Sequence, residues 1–488
     1  MNRAHLSAVA TLVAIFMSFL SSCTPVSKEK SRPIQEIIIS EMRMEDTDEK
    51  EVTEPEPLLP PSLRTTVRVG ILDEENDILF SFSGFYSIHS RGRQIFSRKR
   101  SLGIWRVTAQ GSAIVLDNTT TGERFTTEED VVFRPLYDDS FATVGRAVSG
   151  QNTGWENTRS RSYRGNIEFI SISGRITVVN DVDIEDYVYG VVPSEMPSGA
   201  PMEALKAQAI LARTNVFSKV GAKFRNKPYS LSSDVYSQVY TGIDHRNDRT
   251  DLATDLTKGL ILTYDGRPAE ALFHSTCGGH TEGNDVIWGS SRLPYLQPKP
   301  CCSPEKITAQ NIGDLSREAD FRRWIDSRPD SYCNLDNKNV SSHLDFARKF
   351  YRWEVRHRRR DLERIIRSTT GTDIGEIKDI IVTGRGTSGK AKAVRVEGSK
   401  RSITINRELN IRRQLSRPPL YSGNFYVQKL NTDNRGYAET FVFKGAGFGH
   451  GTGMCQVGAA GKASMGKNFR EIIEFYFPGT KIMTVGEM

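Results

Sequence analysis

The sequence predicts a mixed α/β, β-rich fold: a compact body interrupted by a helical insertion. Three features carry that expectation. Short segments of alternating apolar and polar residues fill the stretch after residue 65 and return after Glu376, the pattern of half-buried strands. One long Ala-rich segment, ALKAQAILARTNVFSKV, repeats apolar residues at helical spacing. Residues 314–370 are charged and helical in period, unlike what flanks them. At 488 residues the chain suffices for one large domain or two ordinary ones.

Taken in order, residues 1–23 read as a lipoprotein signal. Arg3 and His5 precede an apolar run from Ala8 to Leu20, too short to span a bilayer comfortably. The run ends in Leu20-Ser21-Ser22-Cys23, a lipobox-like sequence that makes Cys23 the expected lipidation site. Several acyl chains on one residue give stable anchoring, where one chain does not. A simple secretory leader is the competing reading. Residues 24–62 are acidic, Pro-rich and poor in aromatics, so they read as a disordered tether. The formal charge of +7 is then concentrated on residues 63–488, which suits an anionic polymer as partner or simply a solvated surface.

Within 63–304 the sequence predicts short strands at TTVRVGILDE, IWRVTAQ and SAIVLDN. Asn166–Ile172 and Arg175–Val179 alternate around Ser173-Gly174, which predicts a hairpin. Residues 186–192 are open between helix and strand. The helix that follows is expected to be capped by Ser198, with Pro201 in its first turn and Glu203 at the favourable dipole end. Leu205, Ala209, Ala212 and Val216 form its expected buried stripe. Residues 305–370 are assigned to the helical insertion, and Arg356–Arg360 to a solvated helical face or a polyanion contact. Residues 371–488 return to strands and end in a Gly-rich segment and the helical NFREIIEFYF. No P-loop or dinucleotide fingerprint occurs in its required context, and no nucleic-acid partner is expected.

Four segments pair small residues with polar ones: the turn at Glu195, Ser237–Gly242, Phe273–Glu282 and Gly445–Ala459. Glycine lets backbone approach a ligand and offer its N–H groups. In order, GVVPSEMP, ALKAQAILART, SQVYTG, HSTCGGHTEG and GAGFGHGTGMCQVGAAG resemble the SpoIID/LytB family of secreted cell-wall proteins, from about Val67 to the C-terminus. The resemblance implies a peptidoglycan lytic transglycosylase, cleaving between N-acetylmuramic acid and N-acetylglucosamine in peptide-stripped strands and leaving 1,6-anhydro ends. It places the catalytic acid on Glu195. The apolar VVP and Met196-Pro197 around it favour a partly desolvated carboxyl. A structural helix-entry glutamate is the alternative.

The resemblance also implies substrate contacts for Arg213, Gln238, Tyr240, Ser275, Gly278, Gly279, His450 and Gln456. A structural ion pair competes for Arg213, and a buried structural histidine for His450. Cys455 stands where the family commonly has Ser. The LSSDVYS stretch before Gln238 lacks the His and Cys that bind zinc in some sporulation members, so neither metal nor cofactor is assigned. The thiol chemistry stays open among a disulfide within Cys277, Cys301, Cys302 and Cys333, zinc held by His274, Cys277, His280, Cys301 and Cys302, and free buried thiols. The implied setting is the cell envelope, on the periplasmic face of a membrane and the outer one where two exist, in division, sporulation or turnover. A non-catalytic, glycan-binding amidase enhancer is the alternative function, with an N-acetylmuramoyl-L-alanine amidase as partner. A zinc hydrolase is a third reading.

Overall fold

The strand-rich half begins with β1 (Thr66–Glu75), β2 (Asp77–Ser83), β3 (Phe85–Ser90), β4 (Arg93–Arg100), β5 (Trp105–Gln110), β6 (Ala113–Asn118), β7 (Arg124–Thr127), β8 (Val131–Pro135), β9 (Phe141–Ser149), β10 (Asn157–Tyr163), β11 (Asn166–Ile172) and β12 (Arg175–Asp183). The computed structural model describes residues 66–487 apart from 101–102, 150–156, 220–223, 225, 235–236, 311, 337 and 339. The signal, Cys23 and the tether lie outside the described residues. Strand outweighs helix, 36% against 28%, which matches the β-rich α/β expectation.

Two sheets share one apolar interior. The first runs β1-β12-β11-β8-β3-β4 and the second β10-β9-β2-β5-β6-β7. Phe80 of β2 meets Phe133 of β8 edge-on at 4.6 Å between centroids and Phe169 of β11 at 4.7 Å. Trp105 of β5 approaches Phe133 at 6.1 Å. Such rings bury large apolar areas and fix the spacing of the sheets. The expected hairpin is present: Ile172 pairs with Arg175 across Ser173-Gly174. Both turn residues have positive φ (53° and 76°), the form whose twist matches the flanking strands.

β12 runs directly into α1 (Ile184–Glu195), which settles the open stretch as helix. Asp183 caps it by accepting from the Glu185 N–H at 2.8 Å, and Glu185 and Asp186 lie at the favourable dipole end. Glu195 is therefore the last residue of one helix, where the sequence placed it only in a turn before another. α2 (Met202–Lys219) begins later than expected. The Pro201 carbonyl accepts from Ala204 and Leu205, while Ser198 sits in the preceding turn and is not the cap.

Next come β13 (Leu231–Ser232), parallel to β1, then α3 (Asp248–Asp255), β14 (Leu260–Tyr264), β15 (Arg267–Pro268), β16 (Phe273–His274) and α4 (Asn284–Trp288). Helices α5 (Pro304–Gln310), α6 (Glu318–Ser327) and α7 (Arg348–Tyr351) lead to β17 (Trp353–Arg358) and α8 (Arg359–Thr370). Then follow β18 (Ile377–Arg385), β19 (Ala391–Gly398), β20 (Ser402–Asn406), α9 (Glu408–Leu415), β21 (Phe425–Thr432), β22 (Ala438–Gly445), β23 (Met454–Cys455), α10 (Gln456–Ser464), α11 (Phe469–Tyr476) and β24 (Lys481–Thr484).

Residues from β17 to β22 build a second apolar cluster around Trp353, Leu362, Ile377, Val394, Phe425 and Phe443. The Arg356–Arg360 run is not one helical face: it straddles the end of β17 and the start of α8. Arg356 pairs with Glu354 and Arg359 with Asp433, so local carboxylates already occupy these cations. The expected stripe of α2 is buried, but so are Arg213, Thr214 and Asn215 on its other sides. The cause is that α1, α3, β14, α10 and α11 all pack on α2. No helix among the described residues is long and apolar enough to cross a membrane.

Candidate active site around Glu195

Glu195 is half-buried at the C-terminal end of α1. Its Oε1 accepts from the Val239 N–H at 2.8 Å. Its backbone carbonyl accepts from Gln456 Nε2 at 3.0 Å, and Gln456 also donates to Gln208 Oε1 at 3.2 Å. Three of the sequence segments therefore converge on one residue, Val239 at its carboxyl and Gln456 at its backbone. Ser194 beside it bonds the Gly190 carbonyl and the Thr241 hydroxyl, each at 2.7 Å, which restrains the last turn of α1. The remaining carboxyls of α1 are committed elsewhere. Glu185 accepts from Nε and Nη2 of Arg213, and Asp186 meets Arg164 at 3.2 Å.

The two Gly-rich loops are zipped together. β16 pairs in parallel with β23, and Thr276 and Phe448 exchange backbone bonds of 3.1 and 2.7 Å. Gly278 and Gly447 cross where a side chain has no room: a Cβ on Gly278 would lie 2.6 Å from the Gly447 nitrogen. Both have positive φ, which glycine alone adopts cheaply. Gly279 lies against Trp324 and Tyr351. Ser275 is half-buried and accepts through its carbonyl from Val457, the neighbour of Gln456, at 3.0 Å.

Several expected substrate contacts prove to be internal. Arg213 is fully buried and braces α2 to α1 through Glu185, the structural alternative left open for it. Gln238 is buried, donating to the Ala212 carbonyl at 3.1 Å and accepting from Asn215 at 3.3 Å. Tyr240 is buried against Tyr163 and Tyr187, with its hydroxyl on Asn180 at 2.9 Å. Neither side chain is placed to stack on a sugar; together they hold the Val239 N–H on Glu195. His450 donates from Nε2 to the Phe273 carbonyl at 2.9 Å, because its Nδ1 accepts the Thr452 N–H at 3.1 Å. It packs beside Trp288 and His274 rather than bonding Glu195. Gln208 and the Val239 amide were not singled out from the sequence; both act through contacts that no local pattern encodes. A concavity lined by His280, Pro300, Ile307, Leu315 and Thr387 also opens in the fold, and Glu195 does not line it.

Burial holds the His280 and His450 imidazoles down at about 4, with Lys390 adding repulsion at His450. An unfolded imidazole takes its proton near 6.5, so as pH falls below that value the unfolded chain is protonated first. The stabilisation is complete above about 6.5 and is lost as pH falls toward 4. Each histidine is expected to cost on the order of 2 kcal/mol by a pH of about 5. Thermal melts across this window should show the decline; a flat melting temperature would contradict it.

A β-rich body that presents one glutamate at a helix end, braced by a Gln from a Gly-His-Gly loop, defines the class: the chain belongs to the SpoIID/LytB family. The family model described as stage II sporulation protein matches residues 172–264, which contain Glu195, and a domain of unknown function matches residues 282–453. An uncharacterized protein of Brachyspira hyodysenteriae is 30% identical over 321 residues, covering 66% of this chain and 72% of that relative. Stage II sporulation protein D of Bacillus subtilis is 27% identical over 319 residues, covering 62% and 75%. The amidase enhancer of Bacillus subtilis is 27% identical over 305 residues; the match covers 60% of this chain but only 40% of that relative.

Proposed function

We propose that this protein is a peptidoglycan lytic transglycosylase with Glu195 as its single acid and base. The observation that carries the reading is the placement of Glu195, held at one oxygen by Val239 and at its backbone by Gln456. Ordinary glycoside hydrolysis uses two carboxyls, one to protonate the leaving oxygen and one to activate water or attack the sugar. Here Glu185 and Asp186, the other acids of α1, are engaged in ion pairs. One acid suffices if the sugar supplies its own nucleophile. Glu195 gives its proton to the glycosidic oxygen as the C1–O bond breaks. The muramic acid 6-hydroxyl then bonds C1, and its proton returns to Glu195. No water is consumed, and the carboxyl is regenerated.

The carboxyl sits at the C-terminal end of α1 and accepts the Val239 N–H. The carbonyl end of α1 disfavours a negative charge, while the Val239 N–H favours one. Ser275, which is half-buried, remains a candidate for contact with the strand, whereas Gly278 and Gly279 are buried and serve the loop crossing instead. The basic folded part suits an anionic wall polymer. A lipid on Cys23 would hold it at the envelope.

One relative is named an amidase enhancer, which favours a second reading: a module that grips glycan and recruits an amidase without cutting. The purified chain, incubated with peptide-free glycan strands, separates the two by mass spectrometry. Anhydro-ended fragments, each lighter than its hydrolytic counterpart by one water, support cleavage. Strand retention with no fragments supports the enhancer, and ordinary reducing ends overturn the single-acid mechanism.

A further inference from the structure

Four thiols from distant parts of the chain meet in the interior. The Sγ atoms of Cys277, Cys301, Cys333 and Cys455 all lie within 4.8 Å of one another, and all four residues are buried. We propose that they form a structural zinc site that locks the helical segment onto the two Gly-rich loops. Four sulfurs at a zinc–sulfur distance of about 2.3 Å stand about 3.8 Å apart at the corners of a tetrahedron. Cys277 and Cys333 are 3.6 Å apart.

Polar hydrogens surround three of the four sulfurs. Cys455 Sγ accepts the N–H groups of Cys277 and Gly458 at 3.3 and 3.2 Å. The Tyr476 hydroxyl is 3.2 Å from Cys301 Sγ, and the Ser331 hydroxyl 3.4 Å from Cys333 Sγ. Outer donors of this kind orient metal ligands and spread their charge. Four thiolates around a dication leave a net charge of about −2. Lys299 and Lys462 both act on Cys301, Arg352 on Cys333 and Lys390 on Cys277. Lys299 and Lys462 lie over the Phe475 and Tyr332 rings, and Arg352 donates to the carbonyls of Ile325, Gly278 and Trp324, so all three cations are held near the sulfurs and add positive potential there.

The ligand set differs from the one considered in the sequence. Cys302 is outside it. His274 and His280 direct Nδ1 to the carbonyls of Thr452 and Thr281. Four protein ligands leave no open position, so the metal holds structure and performs no step of cleavage. Backbone bonds already lace these loops, from Cys301 to the Gly279 carbonyl at 2.9 Å and from Tyr332 to the Cys301 carbonyl at 2.7 Å. Cys455 immediately precedes Gln456, so the metal would fix the residue that braces Glu195.

The test is metal analysis of the purified full chain, with its thiols counted under denaturing, non-reducing conditions. The expected result is about one zinc per chain, with four thiols that resist alkylation until the metal is removed. Cys302→Ser should keep the zinc and Cys333→Ser should lose it. Should the latter fail to fold, cobalt exchanged into the unaltered protein gives an independent readout: thiolate-to-cobalt charge-transfer bands and strong tetrahedral d–d bands. Two disulfides by mass, a folded metal-free chain with four freely alkylated thiols, or an iron chromophore would each overturn the proposal. None of these outcomes bears on whether the glycan is cut.

Discussion

Glu195→Gln is expected to abolish glycan cleavage while leaving the fold intact. The amide keeps the volume of the carboxyl, and its carbonyl oxygen still accepts the Val239 N–H. It has no acidic proton for the glycosidic oxygen, and it does not retake one from the 6-hydroxyl. Loss of a general acid lowers rates by roughly 10²–10⁴-fold. Here one group serves both steps, so the larger end of that range is expected. The melting temperature and the retention of peptide-free strands should stay near those of the unaltered protein. Rates from anhydro-end quantification decide the matter: a variant as active as its parent removes Glu195 from the chemistry. A variant that loses retention along with activity makes the residue a binding group.

Arg213→Ala is expected to destabilise the fold by about 3–5 kcal/mol, the usual consequence of removing one partner of a buried pair. The guanidinium is fully buried. It reaches Glu185 through Nε at 2.8 Å and Nη2 at 2.6 Å, and the Leu260 carbonyl through Nη1 at 3.0 Å. Glu185 also accepts the Gly259 N–H at 3.0 Å. The truncation leaves that carboxylate facing a cavity, with α1 and α2 no longer pinned together. Arg213→Lys should fall between, since an ammonium keeps the charge but not the fork. Urea denaturation measures the effect, and kinetics on surviving folded protein tell bracing from binding. A stable Arg213→Ala variant with a raised KM would return this arginine to the substrate.

The hairpin at 166–179 was legible because alternation and a two-residue Ser-Gly turn act over neighbouring residues. The helix over 202–219 was legible too, through its apolar spacing. Its start was not: Ser198 is a good cap by composition, but the chain turns once more before Pro201 opens the helix. Helix α1 stayed open because Pro193 and the β-branched residues near it obscure the period. Glu195 and Gln456 were found as members of separate motifs, and their bond spans 261 positions.

What the sequence by itself determined is the β-rich class and the main local elements, since these rest on periodicity and turn chemistry; the motif only nominated Glu195 as the acid. Only the tertiary structure decided which polar motif residues face inward. Gln238, Tyr240 and Arg213 carry groups suited to a sugar, yet they are enclosed by helices and strands far away in the chain. It also decided which cysteines meet, because Cys277, Cys301, Cys333 and Cys455 have no ligand-like spacing until packing brings them together. Burial and long-range proximity are properties of the whole packed core, and a local stretch of residues does not encode them.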